Sequence, residues 1–388
     1  MSLPSLRVAI DLTQIDNQSL GSGQFRYAVD LVNGLSALDE PVELTLLGSA
    51  ARPATEFRPA LERFPSRCRH VALRLYRGRG SYYYNVARLN WRLATHRVDV
   101  FHQLHTNIPP LASCPVVTTA YHYFEDPALF ATRPYRYYRW ALRHRADLVI
   151  AISDATRDDV HRHFGVPLAR LRTVHLGLSG SFGRVAAPSG ARPYVLSPYN
   201  LSPPKNLRSL MLAWPSIADR HPDLDLLLYG QAHVSAERTA EFERLLRGLR
   251  HADRIRRVGH VADDELGALY DRCALFVFPT TVEGFGYPLL EAMAHGACCI
   301  TRDASAMKEV GGDAVRLVET LRPEEIAAAA IALLDDPDGR AVLGERARRR
   351  AAPFTVAAMA RKTLECYRSI QSPRRHAGGP AGGGRLPD

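Results

Sequence analysis

Two glutamates stand eight positions apart in the run Phe276-Val277-Phe278-Pro279-Thr280-Thr281-Val282-Glu283-Gly284-Phe285-Gly286-Tyr287-Pro288-Leu289-Leu290-Glu291-Ala292-Met293-Ala294. The run reads as an apolar strand entering a glycine-rich turn. Pro288 then opens a helix, where its missing N–H costs nothing. The N–H groups from Gly286 to Leu290 would face whatever lies at the helix start, and such a start binds anions, most often phosphate. Glycines let a ligand approach the backbone closely. Glu291 falls in the expected first helical turn, where the dipole favours an acid and where ordinary helices also carry one. A carboxylate beside a phosphate site is repelled by the phosphate. It suits neutral hydroxyls, because it offers only acceptors. Two carboxylates flanking a phosphate-binding turn therefore suggest a sugar nucleotide.

The elements that must hold this turn are legible as short apolar runs alternating with helical patterns. Val8 to Leu12, Val42 to Leu47, Val71 to Leu75, Val98 to Phe101, Val116 to Ala120 and Leu148 to Ile152 read as strands, and Gln24 to Leu35 as a helix. The pattern restarts with strands at Tyr194 to Ser197, Leu224 to Leu228, Ile255 to Val258, Leu275 to Phe278 and Cys298 to Thr301. Helices fit 205–219, 235–250, 264–272, 288–295, 324–335 and 339–351. The alternation predicts two α/β, doubly wound, Rossmann-like domains with a cleft between them. Between the series lies the Gly/Ser/Pro-rich stretch Ser179 to Gly190, so the boundary is placed near 185. The domains are 1–185 and 186–370. A last amphipathic helix at 355–370 is expected to pack back on the first, and 371–388 is expected to be a disordered tail.

The 388 residues are 46% hydrophobic and 23% charged, which excludes disorder as the main state. No apolar run reaches the ~18 residues of a membrane span, and the N-terminal stretch lacks a secretory pattern. Six cysteines without a Cys-x-x-Cys make no disulfide or zinc framework, and Cys298 and Cys299 read as small buried side chains. A reducing, cytoplasmic setting is expected. The formal net charge is +10, and only three of the fifty basic residues are lysines: Lys205, Lys308 and Lys362. A chain that defaults to arginine and still places a lysine at one spot points to a need for a compact ammonium there. The positive excess fits an anionic partner.

The Glu283 to Glu291 segment resembles the Glu-x7-Glu motif of the large retaining glycosyltransferase family often called family 4, of GT-B fold. Four more segments resemble that family in order: Ala146 to Arg157 its last N-domain strand and helix, Asn200-Leu201-Ser202-Pro203-Pro204-Lys205-Asn206 its phosphate loop, Val258 to Asp263 its base-binding turn, and Ala304 to Ala314 the segment after the motif. Five motifs in order make chance a poor explanation. The resemblance implies roles residue by residue. Glu283 would hold hydroxyls of the donor sugar, helped by Gly284 and by backbone groups of Phe285, Gly286 and Tyr287. The N–H groups leading to Leu289 would face the diphosphate, Glu291 would bind the ribose, and Lys205, beside Asn200, would neutralise the diphosphate. Gly259 and Val261 would lie near the base.

In the first half, Leu20 to Tyr27, with Gly21 and Gly23, resembles the family's first glycine-rich loop. The spacing is not Gly-x-Gly-x-x-Gly, which disfavours NAD. His122 matches the family's histidine near the reacting centre. Three positions depart from the pattern: Tyr123 stands where many relatives carry Asp, Asn200 where the phosphate loop usually has Arg, and His175-Leu176-Gly177 replaces an Asn-Gly. Lys205 then remains as the one firm cation, with Arg26 as a helper.

The resemblance thus implies retaining transfer of a hexose from a GDP- or UDP-sugar to a hydroxyl acceptor, in assembly of a cell-surface polysaccharide or glycolipid. His122, Glu283 and Lys205 would be the catalytic residues, with no essential metal and no cofactor beyond the donor substrate. A glycan or lipid-linked acceptor is expected. The run Arg133 to Arg145 alternates cations with aromatics, which suits an anionic membrane surface at the inner face of the cell membrane. Nucleic acid is not expected as a partner. Three rival readings are a nucleotide-sugar epimerase, a non-catalytic sugar-nucleotide-binding protein and, on charge alone with no motif behind it, a nucleic-acid binder.

Overall fold

A computed structural model of the chain describes residues 5–13, 22–49, 63–73, 81–105, 108–121, 132–179, 192–231 and 234–371. The first sheet is built from β1 (Leu6–Asp11), β2 (Val42–Ser49), β3 (Arg69–Leu73), β4 (Val100–Gln103), β5 (Val116–Ala120), β6 (Leu148–Ala151) and β7 (Leu171–Thr173). Their order is β3-β2-β1-β4-β5-β6-β7, with every neighbouring pair parallel. Helices α1 (Gly23–Ala37), α2 (Ser81–Thr95), α3 (Arg133–His144) and α4 (Asp154–Asp159) connect them. Strands covered by helices on both faces must be apolar throughout rather than alternating. Accordingly, β5 and β6 are buried at every position.

The second sheet repeats the plan. Strands β8 (Tyr194–Pro198), β9 (Asp225–Tyr229), β10 (Ile255–Gly259), β11 (Leu275–Phe278), β12 (Cys299–Arg302) and β13 (Arg316–Val318) run in the order β10-β9-β8-β11-β12-β13, again all parallel. Helices α5 (Leu207–Arg220), α6 (Ala236–Arg247), α7 (Asp263–Arg272), α8 (Tyr287–Ala294), α9 (Ser305–Gly311), α10 (Pro323–Leu334) and α11 (Pro337–Ala351) flank it. Strand order reverses between β1 and β4 in one sheet and between β8 and β11 in the other. In open parallel sheets the crevice beyond the strand ends at such a reversal is where ligands bind.

The α/β, doubly wound reading therefore holds. Sequence patterning missed β7 and β13, which are three residues each and too short to show a period. Cys298 and Cys299 are both buried and free. The boundary near 185 and the tail from 372 lie outside the described residues.

The last helix, α12 (Val356–Ser369), lies on α1 of the first domain. The approach is close because Gly34 has no side chain: a Cβ there would stand 2.7 Å from Val356 Cγ1. Near its end, Tyr367 reaches the first sheet. Its hydroxyl is 2.6 Å from His102 Nδ1, while His102 Nε2 is 2.8 Å from Thr119 Oγ1, which is 3.1 Å from the Tyr27 hydroxyl. All four side chains are buried.

Burial pushes the His102 imidazole down to about 3. Unfolded, the ring takes a proton near its ordinary 6.5; folded, it does not until far lower pH. Its contribution to stability is thus present above pH 6.5 and lost as pH falls from 6.5 toward 3. We expect the stability advantage over a His102→Gln variant to shrink by up to ~1.4 kcal/mol per pH unit in that window. Urea midpoints at several pH values read it, and a constant difference would contradict the buried neutral ring.

Candidate functional site

The two sheets face each other across a cleft of about 670 Å³. Its C-terminal wall is assembled at the β8/β11 reversal. After β8, Asn200 Oδ1 accepts from the Ser202 N–H (2.9 Å) and from the Ser202 hydroxyl (2.8 Å), which folds the loop back. A short 3-10 turn, Pro203–Lys205, then presents Lys205, and the left-handed Asn206 (φ 48°) passes the chain into α5. After β11, the Thr281 N–H donates to the Pro204 carbonyl (2.7 Å), and the buried Thr280 Oγ1 lies 3.0 Å from the same oxygen. One carbonyl thus pins the lysine loop to the glutamate loop. The result is contact between Lys205 Nζ and Glu283 Oε2.

The glycine-rich turn follows. Gly286 has φ 90°, and a Cβ there would stand 2.2 Å from Met307 Cε. Only glycine takes that conformation freely. Helix α8 begins at Tyr287 with proline in its first turn. Glu291 is therefore one turn further in than the sequence reading placed it. It sits on the inner face of α8, where its carboxylate is held by side chains rather than by the dipole. Burial, reinforced by Tyr229 and Glu291, pushes the Tyr270 hydroxyl well above its ordinary range. It stays protonated and donates to Glu291 Oε2 (3.0 Å), while the Tyr229 hydroxyl donates to it in turn (2.7 Å). The other oxygen, Glu291 Oε1, accepts from Arg26 of α1.

A further correction concerns the amides. The Leu289 and Leu290 N–H groups both donate to the Gly286 carbonyl, at 3.0 and 3.2 Å. Leu289 is wholly buried and does not line the cleft. Among the described residues, the N–H groups of Phe285, Gly286 and Tyr287 have no protein acceptor, so these remain for an anion. Gly259 and Val261 do not line the cleft either. The Gly259 carbonyl accepts from the Gly230 N–H (2.7 Å), and Val261 packs on the apolar core. At that end of the cleft the wall is Tyr229, Leu266, Gly267 and Tyr270 instead.

The N-terminal wall is α1 with the end of β5. Ser22 caps α1 by accepting from the Phe25 N–H (3.2 Å), and Gly23 faces the Tyr287 ring. Gly21 and His122 lie outside the described residues; Tyr121, next to His122, lines the cleft. The walls meet at Gly284, whose carbonyl accepts from Thr156 Oγ1 (3.2 Å). Nearby, Glu309 of α9 accepts from the N–H groups of Asp154 (2.8 Å) and Ala155 (3.2 Å) and contacts His175. Asp154, His175 and Glu309 each bring one ligand-type atom within 4.8 Å of the others. Asp154 already accepts from Thr173 and Arg157, so this trio reads as a joint between domains.

The structure thus gathers Gly23, Asn200, Lys205, Glu283, Gly284, Phe285, Gly286, Tyr287 and Glu291 into one cleft. Sequence reasoning missed Tyr229, Tyr270 and Thr280. Their hydroxyls act between loops distant in sequence, and nothing in the local pattern separates them from core residues.

Two family models match the chain: "Glycosyltransferase Family 4" over residues 21–179 and "Glycosyl transferases group 1" over 184–350. The chain is 27% identical over 305 residues to the O-antigen chain mannosyltransferase B of Escherichia coli, covering 73% of this chain and 77% of that one. It is 28% identical over 235 residues to the MMP alpha-(1->4)-mannosyltransferase of Mycolicibacterium hassiacum, covering 56% and 53% respectively. Among solved structures, a glycosyltransferase from Rickettsia africae superposes with a TM-score of 0.76 at 15% identity, covering 95% of this chain and 99% of that one. An Anabaena protein crystallised with UDP gives 0.76 at 20%, covering 94% and 100%.

Proposed function

Because the chain belongs to the family 4-type glycosyltransferases of GT-B fold, we propose that it moves a hexose from a nucleoside diphosphate sugar to a hydroxyl acceptor with retention at the anomeric carbon. The observation that carries this reading is the single cleft in which the ion pairs Lys205–Glu283 and Arg26–Glu291 stand beside three unbonded amides. The mannosyltransferase relatives favour mannose as the sugar, and O-antigen assembly by one of them favours a cell-surface glycan as the product.

In this reading, Glu291 takes the ribose hydroxyls and Glu283 those of the hexose. Lys205 and the N–H groups of Phe285, Gly286 and Tyr287 meet the diphosphate. The bond from the anomeric carbon to the diphosphate oxygen breaks and leaves its electron pair on that oxygen. The acceptor oxygen bonds the same face of the carbon, and its proton passes to the departing phosphate. The protein's part is preorganised charge at the leaving group. The family resemblance assigns His122 a role at the reacting centre. Lys205 supplies the countercharge in place of a metal, so transfer proceeds in EDTA.

The basic aromatic helix α3 gives the acceptor side a surface suited to anionic lipid. Trp140 is 40% exposed, flanked by Tyr137, His144 and Arg145. Peripheral contact with the inner face of the cell membrane fits this, and no described helix is long and apolar enough to cross a membrane.

The test is a thermal-shift screen against UDP, GDP and their hexose conjugates, followed by transfer assays with the donor that binds. A ligand at 100 times its dissociation constant adds ~2.7 kcal/mol of stability. Lys205→Ala is expected to cost roughly 1–3 kcal/mol of diphosphate binding. No shift with any of these ligands would remove the proposal.

A further inference from the structure

Each glutamate of the cleft is paired with a cation. Lys205 rests on Glu283, and Arg26 rests on Glu291. The first pair lies within one domain. The second crosses the cleft and joins α1 to α8. Arg26 is held on three sides: its Nη1 donates to Glu291 Oε1, its Nε stands 3.7 Å from Asp30 Oδ2, and its Cζ lies 4.7 Å from the centre of the Tyr287 ring. Burial works against its charge, yet Glu291 and the neighbouring groups outweigh it, so the guanidinium stays a cation.

A nucleoside diphosphate sugar brings hydroxyls and two negative charges into this cleft. The best partners then change. Hydroxyls suit the carboxylates and phosphates suit the cations, with a planar guanidinium matched to two phosphate oxygens at once. On the wall that carries Glu283 and Glu291, Lys205 is the cation lining the cleft; Arg26 comes from the opposite domain. Released from Glu291, Arg26 keeps its anchor at Asp30, one helical turn along α1 and buried.

We infer that Arg26 is a donor-binding cation supplied by the N-terminal domain, parked on Glu291 in the empty cleft and transferred to the diphosphate when the ribose takes its place. The inference rests on the proposed function. It adds a reason for the two domains to act together: the ribose frees the very group that draws α1 onto the phosphates.

The exchange separates two ligands that a purely structural role would not separate. Arg26→Met removes the guanidinium and keeps an apolar chain. Uridine and guanosine carry base and ribose without phosphate; UDP and GDP add the diphosphate. For the nucleotide that binds, Arg26→Met is expected to weaken the diphosphate by about 10–100-fold, as loss of a charge-assisted bond does. The same variant is expected to tighten the matching nucleoside by up to about fivefold, because the ribose no longer competes with an ion pair. Arg26→Lys should recover most of the diphosphate affinity. Calorimetry or nuclear magnetic resonance titration reads both. Equal weakening of nucleoside and diphosphate, or an unchanged diphosphate, would overturn the exchange while leaving the nucleotide-sugar reading in place. Failure of the unaltered protein to bind either diphosphate would overturn both.

Discussion

Glu283→Gln is expected to cut sugar transfer by on the order of 10²–10³ while the protein stays folded, the scale seen when one preorganised group at a reacting centre is lost. Glutamine keeps the size of the side chain and can still hydrogen-bond a hydroxyl. In the proposed reading, what it removes is the full negative charge that holds the hexose hydroxyls, and the partner that aims Lys205 Nζ. Donor binding should therefore change less than turnover. Stability should hardly move, because an ion pair at a partly open cleft contributes ~1 kcal/mol or less. Initial rates with saturating donor, alongside a melting curve, check it. Turnover within threefold of the original would place Glu283 outside the chemistry.

Gly284→Ala should disable the protein by a different route. A Cβ at this position would stand 2.3 Å from the Tyr121 carbonyl oxygen and 3.4 Å from Ile152 Cδ1. The obstacle is backbone, so no side chain can rotate away. One methyl group must push the glutamate loop and the end of β5 apart by about 1 Å, the order of misplacement that costs ~100-fold in rate. Overpacking adds roughly 1–3 kcal/mol of destabilisation. We expect kcat/KM to fall about a hundredfold with nucleoside affinity largely kept, since Glu291 stays on its own domain. Equal loss of nucleoside affinity would mean that the loop itself, rather than the fit between domains, had collapsed.

The sequence made the sheets legible because buried parallel strands are runs of apolar residues and glycines and prolines punctuate them. It made the C-terminal wall legible because Lys205, Glu283, Gly286 and Glu291 lie in two short segments whose geometry is mostly local. What it hid is what depends on packing between segments. The Tyr229–Tyr270–Glu291 relay joins three elements, and Arg26 meets Glu291 across 265 positions of chain. Leu289 went the other way. A helix start in general leaves its first donors free, but here the Gly286 carbonyl takes the Leu289 and Leu290 N–H groups.

Helix α12 has a mechanical consequence. Leu178, near the end of the first domain, pairs with Thr355 in an isolated parallel bridge, and its N–H donates to the Phe354 carbonyl (2.9 Å). Beside them Gly177 leaves no room for a side chain: a Cβ would stand 2.4 Å from the Val356 nitrogen. The outgoing and returning stretches of chain are thus fastened side by side at one edge of the molecule. Two lobes fastened by both passes of the chain cannot separate at that seam without breaking the Leu178–Phe354 hydrogen bond, so the seam helps to keep the two walls of the cleft in register.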